Sequence, residues 1–135
     1  MPTPPDASDG RAWIPVSPGE LCDRLTILER KVDRIRDPAR RAAAASLLAT
    51  YRDAWRAAGL PDRAALPEDA GLRAVNAALW DVEDDLRARE RAADFGPAFV
   101  ASARSVYALN DRRAALKAAL DARLGAADTE PKEHR

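Results

Sequence analysis

Residues 76–90 read NAALWDVEDDLRARE, and the spacing within this stretch decides the fold class. Wound as a helix, it places Asn76, Trp80, Glu83, Arg87 and Glu90 on one stripe, because they recur at four-three-four-three intervals. Leu72, Val75, Leu79, Val82 and Leu86 recur in the same way on the adjoining stripe, which reads as the core face. A polar seam therefore runs along the edge of an apolar one. Polar groups at such an edge need partners, since burying one without a partner costs a few kcal/mol. The seam is read as a specified network or a binding site.

Working outward, the same helical period extends through most of the chain, with few alternating runs and few β-branched residues. Ser17-Pro18-Gly19-Glu20 fits a capping box that opens a helix whose core stripe is Leu21, Leu25, Leu28, Val32 and Ile35. That helix is expected to stop near Arg36, because the residue before Pro38 is pushed out of helical geometry. Asp37 and Pro38 open a second helix with Ala44, Leu47, Leu48, Tyr51 and Trp55 inside, ended by Gly59 and Pro61. The linker between them is short, and a tight hairpin is favoured over a kinked continuous helix. The third helix is expected from about Glu68 to Ala93. Asp94-Phe95-Gly96-Pro97 breaks it, and a fourth helix runs to about Leu124 on a core line of Phe99, Val106, Leu109, Leu116 and Leu120. The expected architecture is an all-α antiparallel four-helix bundle over residues 13–124. Residues 1–12 and 125–135 read as disordered tails, from their Pro, Asp, Gly and charged content. The high alanine content limits apolar bulk within one chain and points to a homodimer.

At 135 residues the chain has room for one domain with a self-sufficient core. Its 22 basic and 22 acidic side chains balance, which argues against a nucleic-acid partner and against an electrostatic membrane anchor. No apolar run approaches the length of a membrane-spanning helix, so no insertion is expected. The first residues lack the pattern of a signal peptide, and a cytoplasmic protein is expected. Cys22 is the single cysteine and His134 the single histidine. Ser-His-Asp and Cys-His catalysis both need a placed histidine, and His134 lies in the polar tail. There is no glycine-rich phosphate loop. Cys22 reads as a small packing residue. Trp13, Trp55 and Trp80 read as anchors, with Trp80 also able to stack on a planar ligand.

Three groups of residues could carry chemistry. The first is acidic: Glu20, Asp23 and Glu29 on helix one, Glu83, Asp84, Asp85 and Glu90 on helix three, and Asp111 on helix four. Carboxylates converging from facing helices can hold Mg²⁺, and Glu83, Glu90 and Asp111 are the set for that reading. The competing and favoured reading is a salt-bridge ladder, because Arg87 stands between Glu83 and Glu90 on their own face. The second group is basic: Arg104, Arg113 and Lys117 on helix four, joined by Arg24 and Arg87. It could take a phosphate or carboxylate, although mutual pairing with the acids is favoured. The third is Tyr107-Ala108-Leu109-Asn110-Asp111. Asn110 is a poor mid-helix residue, so it is expected to face Asn76 or Glu83 and set helix register, or to bind a ligand.

SPGELCDRLTILERK at 17–31, LWDVEDDLRARE at 79–90 and ARSVYALNDRRAALK at 103–117 together resemble the three blocks of a bacterial family of small proteins that has no assigned activity. The resemblance spans the chain from about Val16 to the tail. It draws attention to Glu20, Asp23, Thr26, Glu29, Asn76, Trp80, Glu83, Asp84, Arg87, Glu90, Arg104, Tyr107, Asn110, Asp111, Arg113 and Lys117. It also implies a loose association with glycosyltransferase and surface-polysaccharide genes. The family commonly ends in a glutamate-lysine-serine-tyrosine-like tail, whereas this chain ends TEPKEHR. The leading expectation is a non-catalytic bundle that binds a protein or a phosphorylated small molecule without a cofactor, as an accessory in cell-surface glycan assembly. The alternatives are a Mg²⁺-dependent hydrolase of a nucleotide or sugar phosphate, and a purely structural dimerisation module.

Overall fold

A computed structural model describes residues 9–126, so the outer parts of both expected tails lie outside the described residues. These residues form four α-helices and one short 3₁₀ turn, with no strand among them. The helices are α1 (Pro18–Arg34), α2 (Pro38–Ala57), α3 (Pro67–Arg91) and α4 (Pro97–Arg123).

Each boundary has a local cause. Ser17 Oγ accepts from the Glu20 amide at 3.1 Å and opens α1, with Pro18 in the first turn. Ile35 is already extended, with φ −71° and ψ 127°, so α1 stops at Arg34, slightly short of the expected Arg36. The break is a hairpin, and Asp37 caps α2 by accepting from the Arg40 amide at 2.9 Å. At the end of α2, Gly59 adopts φ +70° while its amide donates to Arg56 and the Leu60 amide to Trp55. This is the paired closure in which glycine avoids a side-chain clash. Helix α3 closes in the same way through Ala93 at φ +53°, a conformation that costs an L-residue about 1–2 kcal/mol.

Contacting residues give the helix directions. Glu68 meets Arg123, Gly71 meets Leu116 and Asp85 meets Ser102, so α3 and α4 run in opposite directions. Cys22 meets Asp69, Thr26 meets Asn76 and Arg30 meets Asp81, so α1 and α3 run the same way. Helix α1 is central and packs against all three other helices. Leu25, Leu72 and Leu120 are completely buried at this junction, together with Cys22.

Helix α1 has 17 residues, against 25 in α3 and 27 in α4. At ~1.5 Å per residue the outer helices outrun it by roughly 12–15 Å. Burial along the expected core lines fades accordingly. Leu72 and Val75 are buried, but Leu79, Val82 and Leu86 are only partly covered, as are Phe99 and Val106. Leu47, expected inside α2, is exposed. The segment between α2 and α3 was read only as a helix stop, yet it carries structure. Arg63–Ala65 forms the 3₁₀ turn, Leu66 is buried, and the Trp55 indole N–H donates to the Pro61 carbonyl at 2.8 Å.

Candidate functional site

The polar side chains of α1, α3 and α4 meet at a buried knot. Asp23 has no exposed surface, and its carboxylate accepts a forked pair from Arg113, with Nη2 at 2.7 Å and Nε at 2.9 Å. Asn76 Nδ2 donates to Asp23 Oδ1 and to Thr26 Oγ, both at 2.9 Å. The Thr26 hydroxyl in turn donates to the Asp23 carbonyl at 2.8 Å. Arg113 also reaches Asn110 Oδ1 at 3.4 Å. A buried carboxylate is tolerated when its lone pairs are filled in this way. Its hydrogen bond to Asp23 strengthens the hold of the Arg113 guanidinium on its proton. The knot thus ties α1, α3 and α4 together through side chains from all three.

One turn toward the α1 N-terminus, Glu20 pairs with both Lys117 and Arg24. Burial pushes the Glu20 carboxyl up, but these two cations outweigh it and hold it below its ordinary value of 4.5. Asp121 accepts from the Gly19 amide at 2.6 Å. On the other side of α1, Glu29 takes Arg52, Arg63 and Arg73, and Asp69 takes Arg63 and Arg73. Desolvation again raises both carboxyls, and the arginines override it in both. Cys22 Sγ donates to Asp69 Oδ1 at 3.4 Å. Burial first, and the negative charge of Asp69 second, push this thiol up to about 12, so it is no nucleophile near neutral pH.

Past the knot, where α1 approaches its end, the three helices part into a cleft of about 580 Å³. Asn76 and Asn110 stand at its inner end beside Arg113, and Trp80, Glu83 and Arg87 line the α3 wall. Arg30 and Lys31 line the α1 wall. The Arg30 guanidinium lies over the Trp80 ring, 6.0 Å from its centroid, and one of its nitrogens reaches the exposed Asp81 at 3.6 Å. Arg30 Nε is the single buried side-chain N or O atom among the described residues that has no hydrogen-bond partner. Four cations and two acids line the cleft: Arg30, Lys31, Arg87 and Arg113 against Glu83 and Asp84.

The expected site residues divide into four sets. Asp23, Asn76, Asn110 and Arg113 come together in the knot, with Glu20 and Lys117 next to it. Trp80, Glu83 and Arg87 reach the cleft, where Glu83 and Arg87 pair loosely at 4.0 Å. Arg104, Tyr107 and Asp111 do not reach it and sit exposed on α4, while Glu90 is exposed on the far part of α3. Asn110 bonds Arg113 rather than Asn76 or Glu83, although all three line the cleft. The expected anion pocket from Arg24, Arg87, Arg104, Arg113 and Lys117 is not assembled, because four of these cations pair with Glu20, Glu83 or Asp23 and Arg104 faces away. Glu29 belongs to the separate arginine cluster. Among the described residues no three Asp, Glu, Cys or His side chains converge on a position that could hold a metal ion. Glu83, Glu90 and Asp111 are therefore not brought together as a Mg²⁺ set.

Arg30, Lys31, Arg63 and Arg73 were missed from the sequence. Arg30 had a visible signal: it follows Asp23 and Thr26 at helical spacing and so continues their stripe. Arg63 had none, because a turn of three residues has no period to read. No protein-family model, curated protein or solved structure matches this chain.

Proposed function

We propose that the protein is a non-catalytic binding module, and that the Arg30–Trp80 cleft seats the anionic group of a phosphorylated small molecule with a ring beside it. The observation that carries this reading is the unpartnered Arg30 Nε. A buried guanidinium N–H without an acceptor costs about 1–3 kcal/mol, and a phosphate oxygen supplies the acceptor that the free protein lacks. The surroundings agree. Lys31 and Arg87 line the same cleft and add positive charge, Trp80 offers an aromatic surface, and the Asn76 and Asn110 amides offer neutral hydrogen bonds for hydroxyl or ring atoms. The cleft matches a small ligand in size. The sequence resemblance supports assigning such a ligand to cell-surface glycan assembly, with the protein as an accessory that holds a phosphorylated intermediate.

Thermal-shift titration with UDP, ADP and inorganic pyrophosphate tests the proposal. At ~100 times its dissociation constant, a nucleoside diphosphate is expected to add about 2.7 kcal/mol, a melting shift of roughly 10 °C for a domain of this size. Arg30→Met is expected to abolish that shift with little change in the stability of the free protein, because removing the unsatisfied Nε–H offsets the lost contacts with Trp80 and Asp81. A flat response of the wild type to all three probes, or an undiminished shift in Arg30→Met, would overturn the site. Turnover of the probes with Mg²⁺, lost in Glu83→Gln, would overturn the non-catalytic reading.

A further inference from the structure

Helix α4 turns one stripe away from α1 and α3. Val100, Arg104, Tyr107, Ala108, Asp111 and Ala115 recur along it at helical spacing, and all six are exposed. Val100 keeps 48% and Tyr107 61% of its surface in water. The exposed side of α3 looks different: Arg73, Asp81, Glu83, Asp84, Arg87 and Glu90 cover it with charge, as expected of a solvated face. An apolar stripe with only two charges on its axis is the composition of an interface core edged by a polar pair.

The order of these six residues names the occupant. From the midpoint between Tyr107 and Ala108, the stripe reads outward in both directions with matched opposites. Tyr107 balances Ala108, Arg104 balances Asp111, and Val100 balances Ala115. Laid antiparallel on a second copy about that midpoint, each large side chain meets an alanine, and each Arg104 meets the opposite Asp111. Such self-complementarity is what a two-fold, isologous interface requires. A different protein would not need the sequence to mirror itself in size and charge at once. We infer that the outer face of α4 is the contact of an antiparallel homodimer centred between Tyr107 and Ala108. The inner face of the same helix carries Val106, Asn110 and Arg113 to the cleft, so dimerisation leaves the proposed ligand site open.

Sedimentation velocity tests this at micromolar concentrations. The wild type is expected at twice the 14.7 kDa chain mass. Arg104→Asp alone sets two carboxylates against each other at both ends of the contact, and Asp111→Arg alone sets two guanidiniums. Each variant is expected to associate about a hundredfold more weakly than the wild type. In a mixture of the two folded variants, the two carboxylates of one chain face the two guanidiniums of the other, so opposite charges meet again at both ends. The mixture is therefore expected to restore a dimer, which a folding defect would not do. A monomeric wild type, an undiminished dimer in either single variant, or a mixture that stays monomeric would each overturn the inference.

Discussion

Asp23 is the residue on which most of the polar interior depends. It has no contact with water, and its carboxylate receives Arg113 from α4 and Asn76 from α3. Removing its charge takes the paired carboxylate from the half-buried Arg113, and breaking such a pair costs about 3–5 kcal/mol. Asp23→Asn is therefore expected to lower the urea midpoint by an amount equivalent to several kcal/mol at unchanged denaturant slope. A loss below about 1 kcal/mol would mean that the knot is no more than a surface pair. The sequence made Asp23 visible only as one acid among eight, because helical spacing reports a face and not a depth. Asp23 and Asp111 look alike as letters. One is sealed beneath α3 and α4, and the other stands exposed on α4.

Among the elements, α1 is the shortest of the four helices and the one that every other helix touches. Its first turn can approach α4 because position 19 lacks a side chain. A Cβ there would strike the Lys117 carbonyl and come within 2.9 Å of Asp121 Oδ1, the acceptor of the Gly19 amide. Gly19→Ala would gain from helix propensity, but overpacking costs about 1–3 kcal/mol and the buried hydrogen bond is lost as well. The expected net effect is a drop in melting temperature, together with weaker coupling between α1 and α4 seen as faster amide exchange in the first turn of α1. An unchanged or raised melting temperature would show that the two helices can part without cost. The helices themselves were legible from their prolines, caps and apolar periods, and their ends fall within a few residues of expectation. The 3₁₀ turn was not, although its Arg63 is central to the cluster that holds Glu29 and Asp69. Trp55 of α2 holds the loop just before it through the Pro61 carbonyl, a contact that helical spacing does not report.

For the whole molecule, charge balance conceals a strong dependence on acid. Glu20, Glu29 and Asp69 are each held below their ordinary values of 4.5, 4.5 and 3.8 by paired cations. A carboxyl whose folded value is depressed contributes stability above its unfolded value and loses it as the pH falls through the folded one. Stability is thus expected to be level from neutrality down to about pH 5, and to fall steadily below about pH 4.5 as these three groups take up protons. Urea midpoints measured at a series of pH values check this, and a midpoint unchanged at about pH 3.5 would contradict it. The amino-acid order alone determined that the chain is helical, where its helices begin and end, and which stripe of each is apolar, because all of these follow from interactions within a few residues. Only the tertiary structure decided which charges meet. An ion pair depends on the depth and rotation of two distant helices, and where α1 stops short of its neighbours Arg30 lines a cleft with one buried donor unmatched.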